Sequence, residues 1–362
     1  MAAAESIPRE SETRAEQFFQ SLRARHEAAV NRVGLNHKCF RIGDRIASLR
    51  FAGDALERIL SPALEHLRVA PNQSSDLEVF LFDSASTGVL PPAPDWSVDA
   101  YGIRGTIAGF DTNSIRILYQ PGADVLLMLN RQRSEAIFWT ADHRKIPYWE
   151  CSFPLRTIFH WWMEDLPFQP MHAAAVGLQD GGVLIAGPSG TGKSTSALAC
   201  LDSDLLYAGD DYVLVRHEPA LVYSLYGTAK LAPENLKNFR GLAPFVSNPE
   251  RLSDQKALIF VNSHLPEKLG LSFPIRALLI PRISGRVDTV LRRTTAAEAF
   301  RSLAPTTIFQ LQGGERRTIA KISALVREVP AYILEAGTDL TQIPARILEF
   351  LGRVSMHGSS SH

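Results

Sequence analysis

Residues 187–195 read Gly-Pro-Ser-Gly-Thr-Gly-Lys-Ser-Thr, and no other stretch restricts the chain's possible folds as much. The spacing fits G-x-x-x-x-G-K-[ST], with Gly187 first, Gly192 and Lys193 in place, and Ser194 closing the pattern. Gly187, Gly190 and Gly192 have no Cβ, so the backbone can curl into a nest whose N–H groups converge on phosphate oxygens. Pro188, Ser189 and Thr191 fill the turn, and Thr195 follows it. Lys193 sets a point charge on the β- and γ-phosphates, and Ser194 offers a hydroxyl to Mg²⁺. Such a loop works between a buried strand and a helix N-terminus. Gly182-Val-Leu-Ile-Ala186 reads as that strand, and Ser196-Ala-Leu-Ala-Cys-Leu201 as that helix. The order predicts an α/β layer that binds a nucleoside triphosphate, with ATP and Mg²⁺ as the expected cofactors.

At 362 residues the chain is long for one core, so two domains are expected. Lys+Arg and Asp+Glu both total 38, which gives no electrostatic reason to expect nucleic acid or an anionic membrane as a partner. No apolar run is long enough to span a bilayer. The N-terminus, Met1-Ala-Ala-Ala-Glu-Ser, lacks the apolar core of a signal peptide. Cys39, Cys151 and Cys200 are far apart and lack metal-ligand spacing, as expected of reduced thiols in a cytoplasmic protein.

Periodicity divides the chain into an α+β half and an α/β half. A smaller, mainly antiparallel N-terminal domain is expected over residues 1–152, with an amphipathic helix over 11–30 and another from Ala55 to Leu67. Strands are expected at Cys39–Ile42, Ile46–Phe51, Leu77–Phe82, Tyr101–Phe110, Ser114–Tyr119, Val125–Leu129 and Ala136–Thr140. An aromatic helix around Phe153–Glu164 connects the halves over 153–167. Its His160, Trp161 and Trp162 fit a core better than a pocket. The second domain is expected over 168–352, and a small polar tail over 353–362 reads as disordered.

Downstream of the loop, Asp210 and Asp211 sit together between two apolar strand signals. A nucleotide enzyme needs an anion there to hold Mg²⁺ or to accept a proton, although a surface turn would also tolerate adjacent aspartates. Lys230, Arg282, Arg286 and Arg316 are basic residues in or beside loops, and any of them could reach a phosphate.

Three segments together resemble the catalytic domain of the HPr kinase/phosphorylase family. These are Met171-His-Ala-Ala-Ala-Val176, then Gly182-Val-Leu-Ile-Ala-Gly-Pro-Ser-Gly-Thr-Gly-Lys-Ser-Thr195, then Gly209-Asp-Asp211. The resemblance covers residues 168–216, with a looser fit onward, and is nearest to divergent relatives that phosphorylate lasso-peptide precursors. It implies a P-loop kinase fold of the HPr kinase/phosphoenolpyruvate carboxykinase type with a hydroxyl as acceptor. By motif position, Asp211 would be the general base and Asp210 its neighbour at the metal. His172 would lie near the phosphate, Ser194 on Mg²⁺, and Lys193 on the γ-phosphate. The two aspartates could exchange roles, and a histidine on an apolar strand is also a common core residue. Ala173 replaces the glycine that follows the family's histidine. The family's second metal-binding glutamate has no counterpart in Val222–Leu231, where Lys230 is the charged residue.

Three functions follow as expectations. The first is a kinase acting on a hydroxyl of a peptide, protein or small molecule. The second is a bifunctional HPr kinase/phosphorylase. The third is a non-catalytic ATP-dependent binding module in peptide natural-product biosynthesis. Relatives form oligomers, so a homo-oligomer is possible on the resemblance alone.

Overall fold

The computed structural model describes residues 9–71 and 74–358. The chain forms a mixed α/β protein that divides into two compact units between Trp162 and Met163. Among the described residues no helix is long and apolar enough to cross a membrane. The last helix, Gln342–Gly358, continues through the start of the expected disordered tail, and residues 359–362 lie outside the described residues.

Among the described residues the first unit is built on a seven-stranded sheet. Its order is Arg68–Val69, Leu35–Ile42, Arg45–Ala52, Leu77–Asp83, Glu135–Thr140, Val125–Asn130 and Ile115–Gln120. The expected antiparallel sheet is a mixed one. Leu77–Asp83 runs parallel to both of its neighbours, Arg45–Ala52 and Glu135–Thr140. Long connections on each side let the chain return in the same direction, which a tight hairpin cannot do. The helix Arg9–Val33 buries Ala15, Phe18, Phe19, Leu22 and Ala29 in a cluster with Phe80, Phe82 and Met128.

Two local expectations fail in this unit for identifiable reasons. The helix expected from Ala55 to Leu67 splits at Pro62 into Glu57–Leu60 and a 3₁₀ segment, Pro62–Leu67, because proline has no N–H and crowds the preceding turn. Leu56, Leu60, Leu64 and Leu67 are buried all the same. The strand expected at Tyr101–Phe110 is a loop holding only isolated bridges, Tyr101 to Ile107 and Thr106 to Leu118. Gly105 takes φ 82° there, and a Cβ on it would meet the Tyr119 carbonyl at 2.1 Å. His160 and Trp161, on the helix Arg156–Trp162, are core residues.

Among the described residues the second unit carries a nine-stranded sheet that branches at its longest strand, Ser272–Ile283. The N-terminal end of that strand pairs antiparallel with Ala220–Tyr223, which leads to Val213–His217 and Phe168–Met171. The rest of it pairs parallel with Gly181–Ala186 on one side and Ala331–Ala336 on the other. Beyond Gly181–Ala186 lie Ala173–Leu178 and Leu206–Gly209, both antiparallel to their neighbours. Continuous apolar runs suit strands buried on both faces. Val183 and Ile185 pack with Ala197, Leu198, Ile343 and Ile347 on one face. Leu184 packs with Leu303, Ile322 and Leu325 on the other.

The helix Glu315–Glu328 also anchors the chain that leads into the site. Lys321 Nζ donates to the carbonyls of Met163, Glu164 and Phe168 at 2.8, 3.0 and 2.7 Å. Arg317 pairs with the buried Glu164 at 2.9 Å. These contacts hold the start of Phe168–Met171, one residue ahead of His172.

Burial keeps two histidines of the first unit neutral, pushing His26 and His66 each down to about 4. The unfolded chain takes up those protons near pH 6.5, so their contribution to stability is whole above 6.5 and is lost as pH falls towards 4. Each is worth about 3 kcal/mol at most. The melting temperature of the first unit is expected to fall between pH 6.5 and 4. His26→Gln and His66→Gln should flatten that slope in calorimetric melts, and an unchanged slope would contradict the assignment.

Candidate active site

Two strands break at the same level in the second unit. Phe168–Met171 and Ala173–Leu178 belong to different branches of the sheet, and His172 is the single residue between them. Leu206–Gly209 and Val213–His217 are separated in the same way by Asp210, Asp211 and Tyr212. Met171 lies opposite Val213, and Ala175 opposite Gly209, so the two breaks face each other. The strand Gly181–Ala186 ends with Ala186 opposite Ala173, which brings the phosphate loop out beside His172.

The loop has the backbone its sequence requires. Gly190 and Gly192 adopt φ 82° and 101°, with nothing within 4 Å of where a Cβ would stand. Thr191 Oγ1 closes the turn on the Pro188 carbonyl at 2.8 Å, and a Cβ at Gly187 would come within 2.9 Å of that hydroxyl. Pro188, Ser189 and Gly190 face solvent, whereas Lys193 is buried. Ser194 and Thr195 follow in the first turn of the helix Lys193–Ala199. Lys193 Nζ donates to the carbonyls of Gly187 and Pro188 at 2.8 and 3.2 Å, which folds it back against the loop. Burial lowers its pKa, and the fields of Asp211 and Asp210 act in the opposite direction.

The acid pair is not on regular strand. Tyr212 N–H donates to the Asp210 carbonyl at 2.6 Å, and Asp211, at φ 60°, occupies the middle of that tight turn. Left-handed backbone at a non-glycine residue is strained and concentrates at functional sites. The turn removes the alternation that would send adjacent carboxylates to opposite faces, and both fields reach Lys193.

The two carboxyls sit in opposite electrostatic environments. Burial alone would raise Asp211, but its bonds to His172 and Lys230 outweigh that and hold it well below the usual carboxylate range. His172 Nε2 lies 3.4 Å from its Oδ1, and Lys230 Nζ 3.1 Å from its Oδ2. Asp210 is raised to about 7, first by burial and then by the charge of Asp211. Ser194 beside it favours the charged form, as does Lys230 N–H at 3.4 Å from Oδ2, while Oδ1 accepts no hydrogen bond.

His172 is buried, and that burial lowers its pKa. Its backbone N–H donates to Thr307 Oγ1 at 3.2 Å, and Gln310 Nε2 lies 3.4–3.5 Å from its ring nitrogens. The Tyr212 hydroxyl donates to Gln310 Oε1. Thr307 and Gln310 were not legible in the sequence, because they lie on the helix Ala296–Gln310, far along the chain from the motifs. Lys230, expected in or beside a loop, is on the strand Thr228–Leu231. Of the other expected cations, Arg282 pairs with Glu298 at 2.7 Å, and Arg286 and Arg316 are exposed.

The residues fit a phosphate-bound divalent cation. The unpartnered Asp210 Oδ1 and the neighbouring Ser194 hydroxyl are hard oxygen donors. Among the described residues there is no group of three His, Cys, Asp or Glu side chains that would cage a metal unaided. Mg²⁺ typically takes one or two protein oxygens and completes its shell with phosphate and water.

No family model matches the chain, and no curated protein matches it. Among solved structures, that of the Hpr(Ser) kinase/phosphatase from Coxiella burnetii is similar at 12% identity. The similarity covers 52% of this chain and 99% of that one, with a TM-score of 0.30. Likeness at that level decides nothing about function.

Lys230→Met removes one of the two partners that keep Asp211 ionised. The carboxyl of Asp211 is then expected to titrate about 1–3 pH units higher, read by carbon NMR of labelled aspartate. An unmoved titration would show that Lys230 does not hold it.

Proposed function

We propose that the chain is an ATP-dependent kinase that transfers the γ-phosphoryl group to a hydroxyl of a peptide, protein or small molecule. One observation carries this reading. The buried lysine of a phosphate loop and an ionised aspartate converge where two strands break, with His172 between them and the helix Ala296–Gln310. A module that only bound nucleotide would have no need of the buried acid pair.

In this reading the loop amides of Gly187–Thr195 and the Lys193 ammonium bind the phosphates. Lys193 exchanges its bonds to the Gly187 and Pro188 carbonyls for phosphate oxygens. Ser194 and Asp210 would hold Mg²⁺, which would neutralise charge on the bound phosphates. Asp211 accepts a hydrogen bond from the acceptor hydroxyl and orients it. As the new P–O bond forms and the bond to the leaving ADP breaks, the hydroxyl proton passes to Asp211. Asp211 is ionised and so can take the proton, which in a loose transition state leaves late, once the oxygen has bonded to phosphorus. His172, kept neutral by burial, steadies the Asp211 carboxylate, and Gln310 beside the ring fixes its orientation. The unpartnered Oδ1 of Asp210, with Ser194 beside that carboxyl, favours Asp210 at the metal and Asp211, already held by His172 and Lys230, at the acceptor, over the exchanged assignment.

Incubation with γ-labelled ATP and a panel of hydroxyl-bearing peptides and small molecules, followed by mass spectrometry, tests the reading. Asp211→Asn is expected to keep ATP affinity and lose about 10²–10⁴-fold in transfer. Turnover close to wild type in that variant would sink the base assignment. Lys193→Ala is expected to weaken ATP binding in titration calorimetry, and an unchanged affinity would count against the site itself.

A further inference from the structure

The segment between the strands Thr228–Leu231 and Ala257–Phe260 returns the chain to the site and brings one more lysine with it. The two strands pair antiparallel, with Lys230 opposite Leu258 and Leu231 opposite Ala257. Lys256 stands immediately before the strand Ala257–Phe260, two residues ahead of Leu258, so the alternation continued by one residue directs it to the side that carries Lys230. Its backbone is pinned: Asn248 donates to the Lys256 carbonyl at 3.0 Å and accepts from Leu258 N–H at 2.8 Å. Asn248 is itself buried. Lys256 is half-buried, and among the described residues no carboxylate pairs with it.

Its charge reaches both of the other lysines. Burial is the main cause that lowers the pKa of Lys193 and of Lys230, and the positive charge of Lys256 lowers both further. Like charges held together oppose folding, and a cleft lined with one sign of charge is the usual arrangement for attracting the opposite sign. Lys256 and the two lysines within its electrostatic reach outnumber the two carboxylates that act on Lys193 and Lys230. The excess positive charge suits a polyphosphate.

We propose that Lys256 is a further phosphate-binding residue that, with Lys193 and Lys230, forms a three-ammonium cradle for the terminal phosphates of a nucleoside triphosphate. This rests on the kinase reading and adds a residue to it from a segment outside every motif. The Asn248 clamp fixes where Lys256 stands, and Lys230, tied to Asp211, links the cradle to the acceptor side.

Titration calorimetry with ATP and with inorganic tripolyphosphate, both without divalent metal, tests the cradle on the full chain. Lys256→Met is compared with Lys237→Met, which makes the same change in net charge at an exposed position of the same segment. Lys256→Met is expected to weaken both ligands about tenfold and to reduce the salt dependence of binding, with Lys256→Arg restoring most of the affinity. Melting temperatures of the variants confirm that each is folded. Equal affinities for Lys256→Met and Lys237→Met, with wild type binding both ligands, would overturn the cradle and leave the phosphate loop standing. A wild-type protein that binds neither ligand would overturn both.

Discussion

Two adjacent chain segments leave their strands at the same level, at His172 and at Asp210–Tyr212, and the chemistry of the second unit depends on that shared break. A continuous ladder there would spread these residues over the two faces of a sheet. The break instead frees their backbone from regular pairing. It turns Asp211 into left-handed conformation and lets a histidine, two carboxylates and a loop lysine meet in a buried space. The neighbouring strands pay for none of this in packing: Val183, Leu184 and Ile185 fill both faces of the sheet directly behind the loop.

Burying that many ionisable groups is tolerable only because each has a defined counterpart. Asp211 has His172 and Lys230; Lys193 has the loop carbonyls and the fields of both aspartates. Removing one member of a buried pair leaves an uncompensated charge, at a cost of about 3–5 kcal/mol. Asp210 is the exception, since one of its oxygens is buried without a hydrogen bond. An unsatisfied buried acceptor calls for an explanation, and the cation of the proposed function supplies one here.

How much was legible in the sequence varied with how local the cause was. The loop from Gly187 to Thr195, its strand and its helix came from spacing alone, because glycine placement and apolar runs act over a few residues. The acid pair was visible for the same reason. The opposite environments of Asp210 and Asp211 were not visible, since they arise from Lys230, His172 and Ser194 arriving from separate segments. Pro62 split an expected helix by a local rule that the apolar spacing of Leu56 to Leu67 had hidden. The loop at 101–110 escaped because Gly105 packs against the Tyr119 carbonyl, a contact between segments.

By itself the sequence determined that a glycine-rich loop of phosphate-loop spacing would stand between a buried strand and a helix, with acidic residues downstream. Those features depend on residue type and short spacing, which the chain carries wherever it goes. Tertiary structure alone decided that the first sheet would be mixed, because strand direction follows from long connections. It also decided which cation would face the acid pair, because Lys230 meets Asp211 from the strand Thr228–Leu231 while Arg282 is drawn to Glu298. The opening motif is therefore a local feature, and the surrounding sheet decides which charges face it.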